Sequence, residues 1–186
     1  MTTTEATMSE HLTGERADIL EALRAHRAFL LQTVQGLDDE QATRRSTVSA
    51  LNLAGLVKHV ADTEESWVRF VLEGPAGFGM ERFADVDWEA LAASGVDPRH
   101  DEFNLVESET VAGVLEHYRQ VAARTDELVA TVDLDTVHPL PEAPWFPKDA
   151  TRSVRRVFLH IVGETAQHAG HADIIREAID GAKTMG

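Results

Sequence analysis

Between His160 and His171 the chain reads HIVGETAQHAGH, placing His160, Glu164, His168 and His171 at i, i+4, i+8 and i+11. On a helix turning about 100° per residue, these four side chains fall within an arc of roughly 80°. Imidazole nitrogen and carboxylate oxygen are donors that zinc, nickel and iron accept, and i, i+4 is a spacing at which two helical side chains share an ion. Val154, Val157, Phe158, Ile161, Ile174, Ile175 and Ile179 accompany them as an apolar stripe, so the face is expected to pack rather than decorate the surface. This reads as half of a metal site.

The other half is sought on a second helix, where His59 shares a stripe with Leu56, Val60 and Thr63. One histidine there plus two donors four residues apart makes three ligands, leaving a coordination position open for water or substrate, as a catalytic metal requires. Taken singly, each residue has a plainer reading: His59 as a hydrogen-bonded core histidine, Glu-x-x-x-His as a surface pair. Two other metal schemes fail on spacing. Di-iron bundles need Glu-x-x-His twice and zincins need His-Glu-x-x-His, and the chain contains neither.

The elements that must position these residues are helical. Ile19, Leu20, Leu23, Leu30 and Val34 mark a first helix over Glu15 to Val34, stopped at Gly36. Asp38 and Gln41 form a capping-box pattern for a short turn. Asn52 or Ser49 caps a second long helix to about Glu73, with Leu53, Leu56, Val57, Val60, Trp67 and Phe70 inward, ended by Gly74-Pro75. Residues 74–107 read as a long connection with one short helix around Trp88 to Ala93. Ser108 is placed to cap a third long helix, Glu109 to Val132, with Val111, Val114, Leu115, Tyr118, Val121 and Leu128 inward. Pro139, Pro141, Pro144 and Pro147 constrain the loop that follows, and a fourth helix runs from about Thr151 to Ile179, ending near Gly181. No strand pattern stands out. The expectation is all-α: a four-helix bundle with two longer connections, forming one domain over residues 13–186 behind a flexible tail over residues 1–12.

Composition narrows the function. In 186 residues, 43% hydrophobic and 26% charged is an ordinary globular balance, and the net charge of −15 argues against a nucleic-acid partner. No apolar run approaches the roughly 18 residues needed to cross a bilayer. The acidic, Thr-rich start lacks the basic, apolar pattern of a signal peptide, so a cytoplasmic location is expected. With no cysteine, the chain has no thiol nucleophile of its own.

The segment Leu51 to Trp67 (LNLAGLVKHVADTEESW) and the segment His160 to Gly181 (HIVGETAQHAGHADIIREAIDG) together resemble the DinB superfamily. The closest likeness is to the branch of unknown function beside mycothiol-dependent maleylpyruvate isomerase. The resemblance covers about Glu15 to Gly181. It implies a bundle holding a divalent metal, zinc first with nickel or iron as alternatives, on His59, Glu164 and His168. Glu164 stands where many members have histidine, as in the isomerase branch. His171 is then a supporting residue or alternative ligand, and His160 packs or hydrogen-bonds.

Characterised members of the superfamily this likeness points to include transferases and isomerases that use mycothiol or bacillithiol as cosubstrate. The corresponding expectation is transfer of a small-molecule thiol to an electrophile, or isomerisation through it. A hydrolase with Asp62 or Glu65 as base, and a non-catalytic metal-binding stress protein, are the alternatives. The isomerases carry a further C-terminal region, so maleylpyruvate itself is not the expected substrate. A homodimer is also implied. Trp145, Arg155 and Arg156 are candidates for substrate contact, Arg155, Arg156 and Arg176 by pairing with a carboxylate; core or helix-surface roles are the plainer readings. Trp67 is expected in the core.

Overall fold

Four amphipathic stripes become four long helices: α1 (Glu15–Gln32), α3 (Leu53–Glu73), α4 (Val111–Thr131) and α5 (Val154–Asp180), with a short α2 (Asp39–Thr43) between the first two. The computed structural model describes residues 12–79, 90, 93, 100–143 and 146–184. Within these, α1 packs chiefly on α5 while α3 packs on both α4 and α5, closing the bundle expected from sequence. The short helix expected around Trp88 to Ala93 lies outside the described residues apart from helical Ala90 and Ala93, and the expected tail lies outside them apart from Leu12. Leu12 packs against the core.

The caps explain the boundaries. Asn52, not Ser49, caps α3 by accepting from the Gly55 amide at 2.8 Å, and Asp38 and Gln41 form the reciprocal capping box of α2. Thr110 rather than Ser108 caps α4, so that helix begins two residues later than expected. Glu109 is held outside the helix because its carboxylate accepts from the Val106 amide and from Lys58 Nζ. Glycines in the left-handed region follow α3 at Gly74 and α5 at Gly181.

A two-stranded pairing corrects the sequence reading. Val137–Pro139 (β1) runs antiparallel to Thr151–Ser153 (β2), with His138 opposite Arg152. The fourth helix therefore starts at Val154, because Thr151 to Ser153 are spent on the ladder. Backbone bonds from Val154 N to Thr136 O and from Arg155 N to Leu134 O satisfy amides that a helix start would otherwise leave open. Three-residue strands are too short to leave an alternating pattern.

The core comprises two large apolar clusters and a small one of Ala42, Ala54 and Val111. Of the large two, one contains Leu23, Trp67, Phe70, Phe158 and Ile161; the other contains Leu30, Leu56, Val60, Tyr118 and Ile175. Ile174, expected in the apolar stripe, is 65% exposed on the outer face of α5, while Ile175 is buried. A polar layer crosses this core, unforeseen from sequence. Arg27 of α1 pairs with the fully buried Glu64 of α3 and with Asp126 of α4, and the Thr125 hydroxyl donates to Glu64 at 2.5 Å. Buried in the same core, the Tyr118 phenol is pushed well up by burial and then by the Glu64 charge, so it stays neutral.

Candidate metal centre

His59 lies in the second turn of α3, and Glu164 and His168 lie one turn apart in the middle of α5. Packing of α3 against α5 brings one donor atom from each of the three within 4.8 Å of one another. His168 Nε2 is 3.5 Å from Glu164 Oε2, and the rings of His59 and His168 meet edge to face at 4.8 Å. Hydrogen bonding from His168 holds the Glu164 carboxyl below its usual range, against a partial burial that pushes it up; the neighbouring imidazoles add to the lowering. Glu164 is therefore a carboxylate at neutral pH.

This donor set suits a divalent metal. Two donors on one tetrahedral zinc at about 2.0–2.1 Å lie roughly 3.3 Å apart, close to the 3.5 Å between His168 and Glu164. His168 also lacks a full complement of partners: it is buried, and its Nδ1 has no hydrogen-bond partner among the described residues. If Nε2 carries the proton, the buried Nδ1 lone pair is orphaned; if Nδ1 carries it, the Nε2 lone pair faces a carboxylate. A cation beside Nε2 and Oε2 removes the second conflict. Three protein donors leave coordination open, and Glu164 keeps 30% side-chain exposure, so solvent reaches the cluster.

The walls come from elsewhere in the chain. Phe103, at the end of the 3₁₀ turn His100–Phe103, stacks on His59 with ring centroids 4.1 Å apart. That turn is docked on α3 by Asn52 Nδ2, which donates to Phe103 O and Asn104 Oδ1, and by Lys58 Nζ, which donates to Asn104 O. Gly55 permits the approach: a Cβ there would sit 1.8 Å from Phe103 O. His160 places Nε2 3.6 Å from Glu164 Oε1 and its ring edge-on to Trp67 at 4.8 Å. His160 thus packs on Trp67 beside Glu164.

Other candidates are arranged differently. His171 is exposed, with its ring 5.6 Å from that of His168, and stands outside the converging donors. Arg155, a candidate for substrate contact, is committed to Glu15 and Asp135, tying α5 to the start of α1. Arg176 is likewise taken, by Asp180 and by the carbonyls of Thr33 and Gln35. Arg156 is exposed, and Trp145 lies outside the described residues. Asp62 and Glu65 face His117 of α4 at 3.5 and 3.9 Å, away from the cluster's donor set. Two surface clefts, one bordered by Leu20 and Arg24 and one by Leu31 and Leu115, include none of the three donors.

Sequence reasoning missed Phe103, Arg152 and the Arg27–Glu64 pair. Only the pair left a signal, since Arg27 falls at stripe spacing between Leu23 and Leu30, and Glu64 between Val60 and Trp67.

A helical bundle with a two-histidine, one-carboxylate cluster between its second and fourth long helices defines a DinB-like protein. The model of the mycothiol-S-transferase family matches residues 18–181, and the chain belongs to that family. Among curated proteins none matches the chain. No helix among the described residues is long and apolar enough to cross a membrane.

Proposed function

We propose that this protein is a metal-dependent transferase that joins a low-molecular-weight thiol, mycothiol by preference, to an electrophile. The observation that carries the reading is the convergence of His59, Glu164 and His168 within 4.8 Å in a cysteine-free chain of the mycothiol-S-transferase family. His59, Glu164 and His168 are assigned as the ligands, with zinc as the metal, since two histidines and a glutamate with an open position form a known catalytic zinc set. When bound, such a metal lowers the pKa of a thiol sulfur that reaches it, making a thiolate available at neutral pH.

The chain's own residues then have separable tasks. Glu164 enters as a carboxylate because His168 hydrogen-bonds to it. Phe103 fixes the His59 ring by stacking, and Trp67 with His160 walls the side toward the start of α5. The nucleophilic sulfur belongs to the cosubstrate, because the chain has none of its own beyond methionine. Hydrolysis is the weaker reading: Asp62 and Glu65, the acids it would recruit as base, are turned to His117.

The test compares mycothiol, bacillithiol and glutathione with one chloronitroarene in the presence and absence of a chelator. A chelator-sensitive rate, fastest with mycothiol, is the expected result. No metal-dependent rate with any thiol would leave a metal-binding protein without this chemistry.

A further inference from the structure

Arg152 is a partly buried cation with no anion beside it among the described residues. Its guanidinium lies 4.5 Å from the Trp67 ring centroid, and its Nη1 is buried with no hydrogen-bond partner among the described residues. The chain has 32 acidic residues against 17 basic, yet no carboxylate among the described residues pairs with Arg152. Arg24, Arg27, Arg44, Arg119, Arg124, Arg155 and Arg176 each pair with one. Burial and then the neighbouring Arg156 charge both work against its protonated form. A half-buried, unpaired guanidinium in so acidic a protein is costly unless something else supplies the anion.

Its position points to what that is. The Trp67 ring that Arg152 covers also meets His160 at 4.8 Å, and His160 lies 3.6 Å from Glu164. Arg152 thus stands two side chains from the metal cluster. The N-terminus of α5 itself is not the anion site: the amides of Val154 and Arg155 bond to Thr136 and Leu134 carbonyls, and that of Arg156 to the Ser153 hydroxyl.

We propose that Arg152 is the specificity residue of the site, binding the carboxylate of an electrophile whose reactive carbon reaches the His59–Glu164–His168 cluster along Trp67 and His160. The inference rests on the thiol-transfer reading and names its substrate class: an acid whose carboxylate is separated from the reacting carbon by an apolar arm. A planar guanidinium offers a carboxylate two parallel hydrogen bonds, and the Trp67 face holds its plane. With an aryl chloride of this kind, the thiolate sulfur bonds to the ring carbon, the carbon–chlorine bond breaks, and chloride leaves with the electron pair. The thiol proton passes to solvent, and no oxidant or reductant is needed.

The experiment titrates metal-loaded protein, without thiol, with 4-(4-chloro-3-nitrophenyl)butanoic acid and with its methyl ester, reading heat of binding. The acid is expected to bind about tenfold more tightly than the ester, the size of one charge-assisted contact. Arg152→Gln should abolish that preference, and Arg152→Lys should keep only part of it, both with metal content and melting temperature unchanged. With mycothiol added, Arg152→Gln should raise KM for the acid and leave kcat nearly as it was. Equal binding of acid and ester by the unaltered protein, or a preference that survives Arg152→Gln, overturns the proposal. An Arg152-dependent acid preference without thiol turnover would remove the transferase reading and leave the anion site standing.

Discussion

His160 shows how the residue scale couples charge to packing. Burial and then the Arg152 charge hold its imidazole below the ordinary value of 6.5, with Arg156 adding to the lowering and Glu164 opposing it. The unfolded chain takes up this proton near 6.5 while the folded chain resists it, so the unfolded state binds more protons just below that value. The contribution of His160 to the stability of the metal-free protein is therefore full above pH 6.5 and falls as pH drops beneath it. His160→Gln is expected to flatten the change in melting temperature between pH about 7.5 and about 5.5. An unchanged slope would contradict this. The four-residue face of α5 was legible at this scale because helical spacing alone aligns it. Its division into ligands and support came from the family resemblance and not from spacing, since exposed His171 and half-buried His160 look alike in the helical pattern.

Elements decide whether the donors meet. His59 owes its setting to the 3₁₀ turn ending at Phe103, and that turn can approach α3 only because residue 55 has no side chain. Gly55→Ala is expected to cost about 1–3 kcal/mol in denaturant unfolding and to weaken metal binding as the Phe103 stack is displaced. Gly163→Ala, on the outer face of α5 with nothing within 4 Å of the added carbon, should instead stabilise by about 0.5–1 kcal/mol. Equal effects of the two changes would refute the role given to the turn. The long helices were readable from apolar spacing, and three boundaries from residue type, at Asp38, Asn52 and Gly181, whereas the caps Thr110 and Ser153 were not. The β1–β2 pairing and the docked turn were not, because both depend on contacts between residues far apart in sequence.

At the scale of the whole molecule, the Arg27–Glu64 pair links α1 to α3 through the core, with Asp126 and Thr125 joining α4. Removing one partner leaves a buried charge uncompensated, at a cost of about 3–5 kcal/mol. Arg27→Met, which strands the fully buried Glu64, should destabilise by that order; Glu64→Leu should cost less, because Asp126 still pairs with Arg27, and the double substitution should recover most of the Arg27→Met loss. Additive losses in the double variant would show that the pair is not the coupled unit described. The bundle class was legible because four apolar stripes have to close on one another. This polar layer was not, since its partners come from three separate helices and meet only once the bundle has closed.

The most direct test of the metal centre is the metal content of protein purified without chelator, measured for the unaltered chain and for His59→Ala and His168→Ala. The assignment predicts close to one divalent ion per chain in the unaltered protein and none retained in either variant. Full occupancy in both variants would contradict it.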